Sequence, residues 1–377
     1  VRRSTGRSTR SPFITPWLKG AVYLWRPSTT MARRTFALLI LPAVFAACST
    51  ELEVSAPYKD ITVVYGVLST RATDGVSDET RHYVKINKAF LGEGDALVYA
   101  QIPDSTEYDD PDFQVAPRVV DLDNNTEFLL NDSMMPREPG VFNSPLHKVY
   151  YFDATLDPEH TYAVRMKVRG NDVSAETPIV NPPAYQSGFL QTNSNSKLNL
   201  MLGNQYNTVD MDFRSGRDAR RYDVSYRVRY AEDRSGVLTE ESYTVFLGSV
   251  RTNGLNGGEE LQVAISGEAF YQNMANVMEN DPSITRRIYR GLDILFAAAS
   301  DEFATYLTLA QPVSGIVEER PEYTNITNGY GLFAGRHFQT AVGVKLGDAS
   351  LVQLVEGPYT APFNFCIEGN GPPLGCD

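Results

Sequence analysis

The sequence has few of the residues that usually carry catalysis or hold metals. Among 377 residues there are three cysteines and four histidines, and no histidine stands at metal-ligand spacing from another histidine or a cysteine. A structural zinc site is therefore excluded. An HExxH motif, a GxSxG elbow and a phosphate-binding glycine loop are all missing too. We expect a protein that is not an enzyme, with no catalytic residues, no metal and no cofactor.

A long hydrophobic run is also missing. Residues 36–47 are uncharged and apolar, but a membrane-spanning helix needs about 20 such residues. The run follows a short basic stretch that begins at Met31 and precedes Cys48 directly. This order is typical of a secretory signal, and it resembles a bacterial lipobox, in which the cysteine is acylated. We predict a signal peptide over residues 31–47 and lipidation at Cys48; an ordinary signal peptide before a chance cysteine is the alternative.

The segments on either side of this signal have separate interpretations. Residues 1–30 precede a complete signal, so we interpret them as an upstream extension, with Met31 as the initiator. Residues 48–57 are polar and predict a short tether between the lipid and the folded part.

Acidic side chains outnumber basic ones by 46 to 34. Residues 1–47 hold eight basic residues and no acidic ones, which leaves a net charge of −20 on the remainder. A body this acidic repels phosphate backbones and anionic headgroups. We therefore expect no nucleic-acid partner, and membrane contact through the lipid alone.

The two remaining cysteines, Cys366 and Cys376, lie ten residues apart with glycine and proline between them. In an oxidising compartment this spacing favours a disulfide. Two free thiols on a C-terminal tail are the alternative.

The rest of the chain has the pattern of a mainly β protein. Short apolar strands and turns follow one another through residues 58–182, and residues 161–169 alternate most clearly. We predict an Ig-like β-sandwich there. Asn181 and two prolines mark a boundary to a second β-rich α+β domain over residues 183–377.

In this second domain, Tyr222, Val224, Tyr226, Val228 and Tyr230 alternate as the inner face of a strand. Serines and acids that can cap helices predict two short helices near residues 267–279 and 301–311. Glycines spaced through residues 329–354 predict several short paired strands. Acid-rich stretches at residues 104–112 and 121–125 lack the spacing of a calcium loop, so we interpret them as solvated turns.

One segment, residues 319–336, combines aromatic residues with three glycines and two asparagines. It can be a loop that contacts a partner, or a tight turn whose glycines allow positive φ and close packing. The candidate contact residues are Tyr323, Asn325, Asn328, Tyr330 and Phe333.

Short motifs across most of the chain resemble one family. They are residues 63–68 (VVYGVL), 82–86, 139–142, 162–164, 173–177, 306–307 and 323–333 (YTNITNGYGLF). The sequence resembles surface lipoproteins of Bacteroidota-type bacteria that carry a domain of unknown function. The resemblance implies an outer-membrane location and genes near TonB-dependent receptors, but no site residues, because the family has no established activity. Glu51 and Glu53 after Cys48 resemble the export signals of such lipoproteins.

Three functions follow as hypotheses. The first is a lipid-anchored outer-membrane protein, on its periplasmic or cell-surface face, that binds a ligand or assists a TonB-dependent receptor in uptake. The second is a structural or adhesive surface module that interacts through exposed sheet edges. The third is a glycan hydrolase that uses two carboxylates.

Overall fold

Strands dominate the chain, as the alternating apolar pattern predicts. The computed structural model describes residues 61–73, 76–77, 80–89, 95–191, 194–311 and 322–376. The upstream segment, the signal segment, Cys48 and the tether lie outside the described residues, so the predictions for them stay predictions.

The described residues form nineteen strands, numbered here in chain order. The first nine are β1 (Ile61–Thr73), β2 (Val76–Ser77), β3 (Arg81–Ala89), β4 (Phe113–Asp121), β5 (Thr126–Leu129), β6 (Asn131–Pro136), β7 (Leu146–Asp153), β8 (Thr161–Val168) and β9 (Asn171–Pro178). The others are β10 (Ala184–Tyr185), β11 (Met201–Leu202), β12 (Gln205–Tyr206), β13 (Thr208–Arg214), β14 (Arg221–Arg234), β15 (Val237–Arg251), β16 (Glu260–Ser266), β17 (Arg286–Ala299), β18 (Gly329–Val344) and β19 (Phe365–Ile367).

Five short helices accompany these strands. They are α1 (Ala96–Ala100), α2 (Pro103–Thr106), α3 (Gly267–Val277), α4 (Asp301–Leu309) and α5 (Asp348–Glu356). The predictions of α3 and α4 are confirmed, and Ser266 and Ser300 cap them as the sequence indicates. None of the described helices has both the length and the apolar character needed to span a bilayer.

The prediction of several short paired strands over residues 329–354 is wrong. The prediction of two helices in the second half is also wrong, because the described residues there form three, α3, α4 and α5. The region forms the single long strand β18 followed by α5. In α5 the apolar residues Leu351, Leu354 and Val355 recur at helical spacing. The glycines that were expected to separate short strands instead lie inside β18 or, at Gly347, cap α5.

One ten-stranded sheet runs through the described chain. Its order is β15-β14-β17-β18-β1-β3-β7-β6, with β19 beside β17 and β2 beside β1. β1 pairs in parallel with β18 and antiparallel with β3. The first strand therefore lies inside the sheet, between neighbours from opposite ends of the sequence.

In the N-terminal half this sheet packs against a second one, with the order β5-β4-β8-β9. Strands β1, β3 and β7 supply one side of the core between the sheets, and β4, β8 and β9 supply the other. The predicted alternation of β8 is confirmed by its buried face of Tyr162, Val164, Met166 and Val168. The chain is thus mainly β with an N-terminal sandwich, as predicted.

A second core fills the C-terminal half. The predicted inner face of β14 is confirmed, since Tyr222, Val224, Tyr226, Val228 and Tyr230 are all buried. They pack with α3, β13, β16 and β17 in one cluster.

The expected boundary between residues 182 and 183 lies near the point where one core gives way to the other, but it separates neither the cores nor the sheets fully, since Ile326 and Phe333 from beyond it lie in the N-terminal core. The N-terminal core includes Ile179, and the C-terminal core begins at Val180. The ten-stranded sheet nevertheless takes strands from both sides of this point, and Ser55–Asp377 forms one compact unit.

Two local features tie the C-terminal strands in place. At Gly331, where φ is +115°, an added Cβ would lie 2.0 Å from the carbonyl oxygen of Val64, so only glycine lets β18 approach β1 there. The predicted disulfide between Cys366 and Cys376 is confirmed, and it closes the segment after β19.

Candidate functional site

The outer face of β1 is the floor of a cleft. Along this strand Val64 and Leu68 are buried in the core, while Tyr65 is 45% exposed on the opposite face. The register places Tyr65 opposite Lys85 of β3 and Val63 opposite Tyr330 of β18. Side chains from three strands therefore meet on this face.

One end of the cleft is a pocket of about 380 Å³ that we call the tyrosine pocket. Its lining residues are Val63, Tyr65, Tyr306, Leu309, Ala310, Glu322, Tyr323, Tyr330 and Gly331. The strands β1 and β18 supply its floor, and α4 supplies one wall.

Two of its four tyrosine rings are in contact. The rings of Tyr65 and Tyr306 meet edge to face, with centroids 6.3 Å apart and planes at 69°. Burial raises the pKa of the Tyr65 hydroxyl, and the neighbouring Tyr306 and Glu322 raise it further. The Tyr65 hydroxyl therefore stays protonated at neutral pH and can donate as well as accept a hydrogen bond.

The first turn of α4 adds acids near this pocket. Burial raises the pKa of Tyr323, and the charges of Glu302 and Asp301 add to the effect. Asp301 is bound by Arg220, whose Nε lies 2.6 Å from Oδ1. The Oε2 atom of Glu302 is buried and has no hydrogen-bond partner in the described part of the chain.

The other end of the cleft is a pocket of about 490 Å³ that we call the basic pocket. It is lined by Val63, Tyr65, Lys85, Asn87, Lys88, Ala89, Ala96, Leu97, Ala100, Thr106, Arg137, Val141 and Phe142. It shares Val63 and Tyr65 with the tyrosine pocket, so the two pockets adjoin across β1.

The three cations of the basic pocket differ in their partners. Lys85 lies 3.6 Å from Glu107, and Lys88 lies 3.6 Å from Asp112. Burial lowers the pKa of Lys85. Arg137 stacks over the ring of Phe142 at 5.0 Å, and among the described residues it makes no ion pair. Arg137 is thus the cation best placed to meet an anionic group.

Two loops give the basic pocket an apolar wall. The residues around α1 bind the loop near Val141, because the Asn143 amide donates to the Ala100 carbonyl at 2.9 Å. Leu97, Val141 and Phe142 remain 62%, 53% and 48% exposed on this wall. Several exposed apolar side chains that line one pocket are typical of a binding surface.

The structure places the five candidate contact residues of residues 319–336 in different surroundings. Tyr323 and Tyr330 line the tyrosine pocket, and Tyr330 is 48% exposed. The prediction that Phe333 contacts a partner is wrong, because its ring is fully buried in the N-terminal core.

The two asparagines of this segment hold backbone in place. The side chain of Asn325 donates to the Phe333 carbonyl at 2.6 Å and accepts from the Phe333 amide at 2.9 Å, as a neighbouring strand would. Asn328 adopts a positive φ of 55° and donates to the carbonyl of Asp172 at 2.8 Å. Both residues support the structural interpretation of the segment.

The acidic turn at residues 121–125 is held by internal bonds. Asp121, Asp123 and His160 lie close enough to share an ion, yet Asp121 Oδ2 already binds His160 Nδ1 at 2.8 Å. Asp121 Oδ1 accepts from the Asp123 amide, and Asp123 Oδ2 accepts from the Thr161 amide. These contacts describe a turn that is closed by its own carboxylates.

A smaller pocket of about 240 Å³ gathers the acids Glu232, Glu241, Glu279 and Asp281. Arginines already occupy two of them, since Arg287 and Arg234 both bind Glu232, and Arg234 reaches Asp281. A general acid in a hydrolase needs a raised carboxyl pKa, whereas hydrogen bonds from Ser283, and then the contact with Arg234, lower the pKa of Asp281.

Sequence reasoning missed Tyr65, Tyr306, Lys85 and Arg137. The glycine and the tyrosine within the apolar run of β1 are the signal that one face of this strand is open. The partners of these residues come from distant segments, which no local pattern reveals.

Comparisons with known proteins give little beyond this geometry. No family model matches the chain, and no curated protein matches it. Among solved structures, the chain is similar to the C-terminal globular domain of an oligosaccharyltransferase from Pyrococcus abyssi, at 8% identity and a TM-score of 0.23. The match covers 62% of this chain and 46% of that one.

Proposed function

We propose that the protein is a lipid-anchored outer-membrane protein that binds a ligand in the cleft, beside a TonB-dependent uptake receptor. The observation that carries the binding part is the pair of adjoining pockets that share Val63 and Tyr65. A concave site with aromatic and apolar walls and a few polar groups is the usual form of a small-molecule site.

The anchoring part rests on the sequence around Cys48. The floor of the cleft, β1, begins 13 residues after this cysteine. An extended chain of that length spans at most about 45 Å. A lipid on Cys48 therefore keeps the cleft close to the membrane surface, within reach of a receptor in the same membrane.

The binding part is tested with the intact protein. We expect native mass spectrometry after incubation with an outer-membrane and medium extract to reveal a small-molecule adduct. Tyr65→Ala should lose the adduct, because Tyr65 lines both pockets. Tyr83→Ala is the matched control, since Tyr83 is 43% exposed and lines neither pocket. An adduct that persists in Tyr65→Ala, or no adduct in any variant, would contradict the proposal.

The anchoring part has its own test. Cys48→Ser should lose the acyl mass and leave the membrane fraction, and the wild-type protein should co-purify with a TonB-dependent receptor from gently solubilised membranes. Firm membrane attachment of Cys48→Ser would rule out the anchor, and purification without a receptor would rule out the accessory role.

A structural or adhesive role is the second candidate, and β15 favours it. This strand ends the path of the ten-stranded sheet, and Val237, Leu238 and Phe246 on it are 66%, 48% and 58% exposed. Exposed strand edges can pair with other chains. A deletion strain with normal uptake and lost attachment would favour this role over ligand capture.

A further inference from the structure

The tyrosine pocket has a distinct electrostatic character. Among the described residues, its lining includes four tyrosines and Glu322 but no lysine, arginine or histidine. The charge of Glu302 also acts on Tyr323 at its wall, and so does that of Asp301, although Asp301 is paired with Arg220. In the part of the chain that the structure describes, the lining of the adjoining basic pocket contains three cations and no acid. Charge is therefore segregated along the cleft, with the negative end at the tyrosines.

The aromatic rings reinforce this negative character. The face of an aromatic ring carries partial negative charge, and a cation within about 6 Å of the ring centre is attracted to it. In this pocket, the four lining tyrosines come from β1, β18, α4 and the segment before β18. Such aromatic cages are a known way to recognise quaternary ammonium groups.

The unsatisfied oxygen of Glu302 is an independent observation. This carboxylate lies in the first turn of α4, whose N-terminal dipole stabilises its charge. Its Oε2 atom is buried without a hydrogen-bond partner among the described residues. A buried carboxylate oxygen without a partner is costly, and a cation bound near Tyr323 would reduce that cost.

We infer that the tyrosine pocket binds the alkylammonium group of a small organic cation. This inference rests on the proposed ligand-binding function and names the chemical class that its negative end takes. The rings of Tyr65, Tyr306, Tyr323 and Tyr330 contact the alkyl groups, and Glu322 and Glu302 supply the opposing charge.

The test compares two ligands of the same shape. Choline carries a trimethylammonium group, and 3,3-dimethylbutan-1-ol replaces its nitrogen with carbon and is neutral. We expect the intact protein, titrated at constant ionic strength and followed by calorimetry or NMR, to bind choline between about two-fold and thirty-fold more tightly than the alcohol. Equal or tighter binding of the alcohol would overturn the inference.

Two variants separate the rings from the charge. Tyr306→Leu keeps an apolar wall but removes a ring face, and it should weaken choline binding by a factor of about two to thirty. Glu302→Gln keeps the shape and should weaken choline binding while it leaves binding of the alcohol unchanged. Tyr83→Leu, outside the pocket, is the control and should change neither affinity. Unchanged choline binding in both Tyr306→Leu and Glu302→Gln would also overturn the inference.

The outcome is distinguishable from failure of the proposed function. If an extract adduct depends on Tyr65 but choline does not bind, the cleft is a ligand site and the cationic class is wrong. If no adduct depends on Tyr65, the ligand-binding function itself is wrong.

Discussion

His337 is a buried base whose charge state depends on folding. Its side chain is 4% exposed, and its Nδ1 atom lies 2.8 Å from the Thr70 hydroxyl. Burial lowers the pKa of His337 to about 4, whereas a histidine in an unfolded chain has a pKa of about 6.5. The folded protein therefore keeps His337 neutral where the unfolded chain takes up a proton.

This difference predicts a loss of stability in acid. As the pH falls from about 6.5 to about 4, the free energy of unfolding should fall by up to about 3 kcal/mol, because His337 takes up a proton in the unfolded chain but not in the folded protein. His337→Asn, which retains a polar atom near Thr70, should lack this part of the loss. Urea unfolding of both proteins at pH 7 and pH 4.5 measures the difference, and an equal loss in both would refute the assignment to His337.

The side-chain amide of Asn325 is held by two hydrogen bonds to the backbone of one residue. Its amide both donates to and accepts from the backbone of Phe333. Asn325→Asp replaces the donor with an oxygen that faces the Phe333 carbonyl, so we expect a loss of about 1–3 kcal/mol in the free energy of unfolding.

Asn328→Asp is the matched control for that substitution. Asn328 is exposed and donates to one carbonyl, so its loss should be below about 1 kcal/mol. Chemical denaturation at pH 7 compares the two variants, and a larger loss at Asn328 would mean that the Asn325 bonds do not hold β18.

At the scale of elements, α4 depends on Ser300 more than α3 depends on Ser266. Ser300 is fully buried, and its Oγ accepts from the amides of Phe303 at 3.4 Å and Gly335 at 3.3 Å. Ser266 accepts from the Ala269 amide at 3.4 Å. Ser300 therefore joins the start of α4 to β18, which forms the floor of the tyrosine pocket.

Replacing each cap with alanine tests this difference. Ser266→Ala should cost about 1 kcal/mol, the usual value for a lost helix cap. Ser300→Ala should cost about 2–3 kcal/mol, because the Gly335 amide also loses its buried acceptor. Urea titration gives both values, and hydrogen exchange should be faster in α4 of Ser300→Ala. Equal losses would show that the Gly335 contact contributes nothing.

Elements with a local pattern could be predicted from the sequence, and the cleft could not. The alternation of β8 and β14 and the serines before α3 and α4 are signals within a few residues of each other. The pocket instead joins Tyr65 to Tyr306 and Tyr330, which are adjacent only because β1 pairs with β18. No pattern within either strand indicates that β1 pairs with β18.

The error at Phe333 has a physical cause within a single strand. Successive side chains of a strand point to opposite faces, so Tyr330 and Phe333, three positions apart, cannot face the same way. Once β18 is recognised to begin at Gly329, the exposure of Tyr330 itself predicts that Phe333 is buried. Interpreting the segment as a loop removed this constraint.

At the scale of the whole molecule, two cores share one sheet. Val164 lies in the N-terminal core and Val228 in the C-terminal core, and both are fully buried. Because β18 joins β1 to β17, neither half can keep its sheet intact when the other unfolds. We therefore expect the described part of the chain to unfold in one cooperative transition.

Core substitutions in each half test this coupling. Val164→Ala and Val228→Ala should each lower the midpoint of the same transition, by about 2–4 kcal/mol of stability. Val237→Ala, at a position that is 66% exposed, should change it little. Coincident circular dichroism and fluorescence curves are expected. Two separate transitions, each moved by one substitution, would show that the halves are independent.

The central position of β1 also sets the order in which the molecule can be completed. Thr70 and its hydrogen-bonded neighbour His337 are 267 residues apart along the chain. As the nascent polypeptide emerges from its N-terminus, β1 can pair with β3 early, but its other edge stays open until β18 has been synthesised. Contacts of such long range slow folding, and for most of its synthesis the growing chain must keep this edge from pairing with neighbouring molecules.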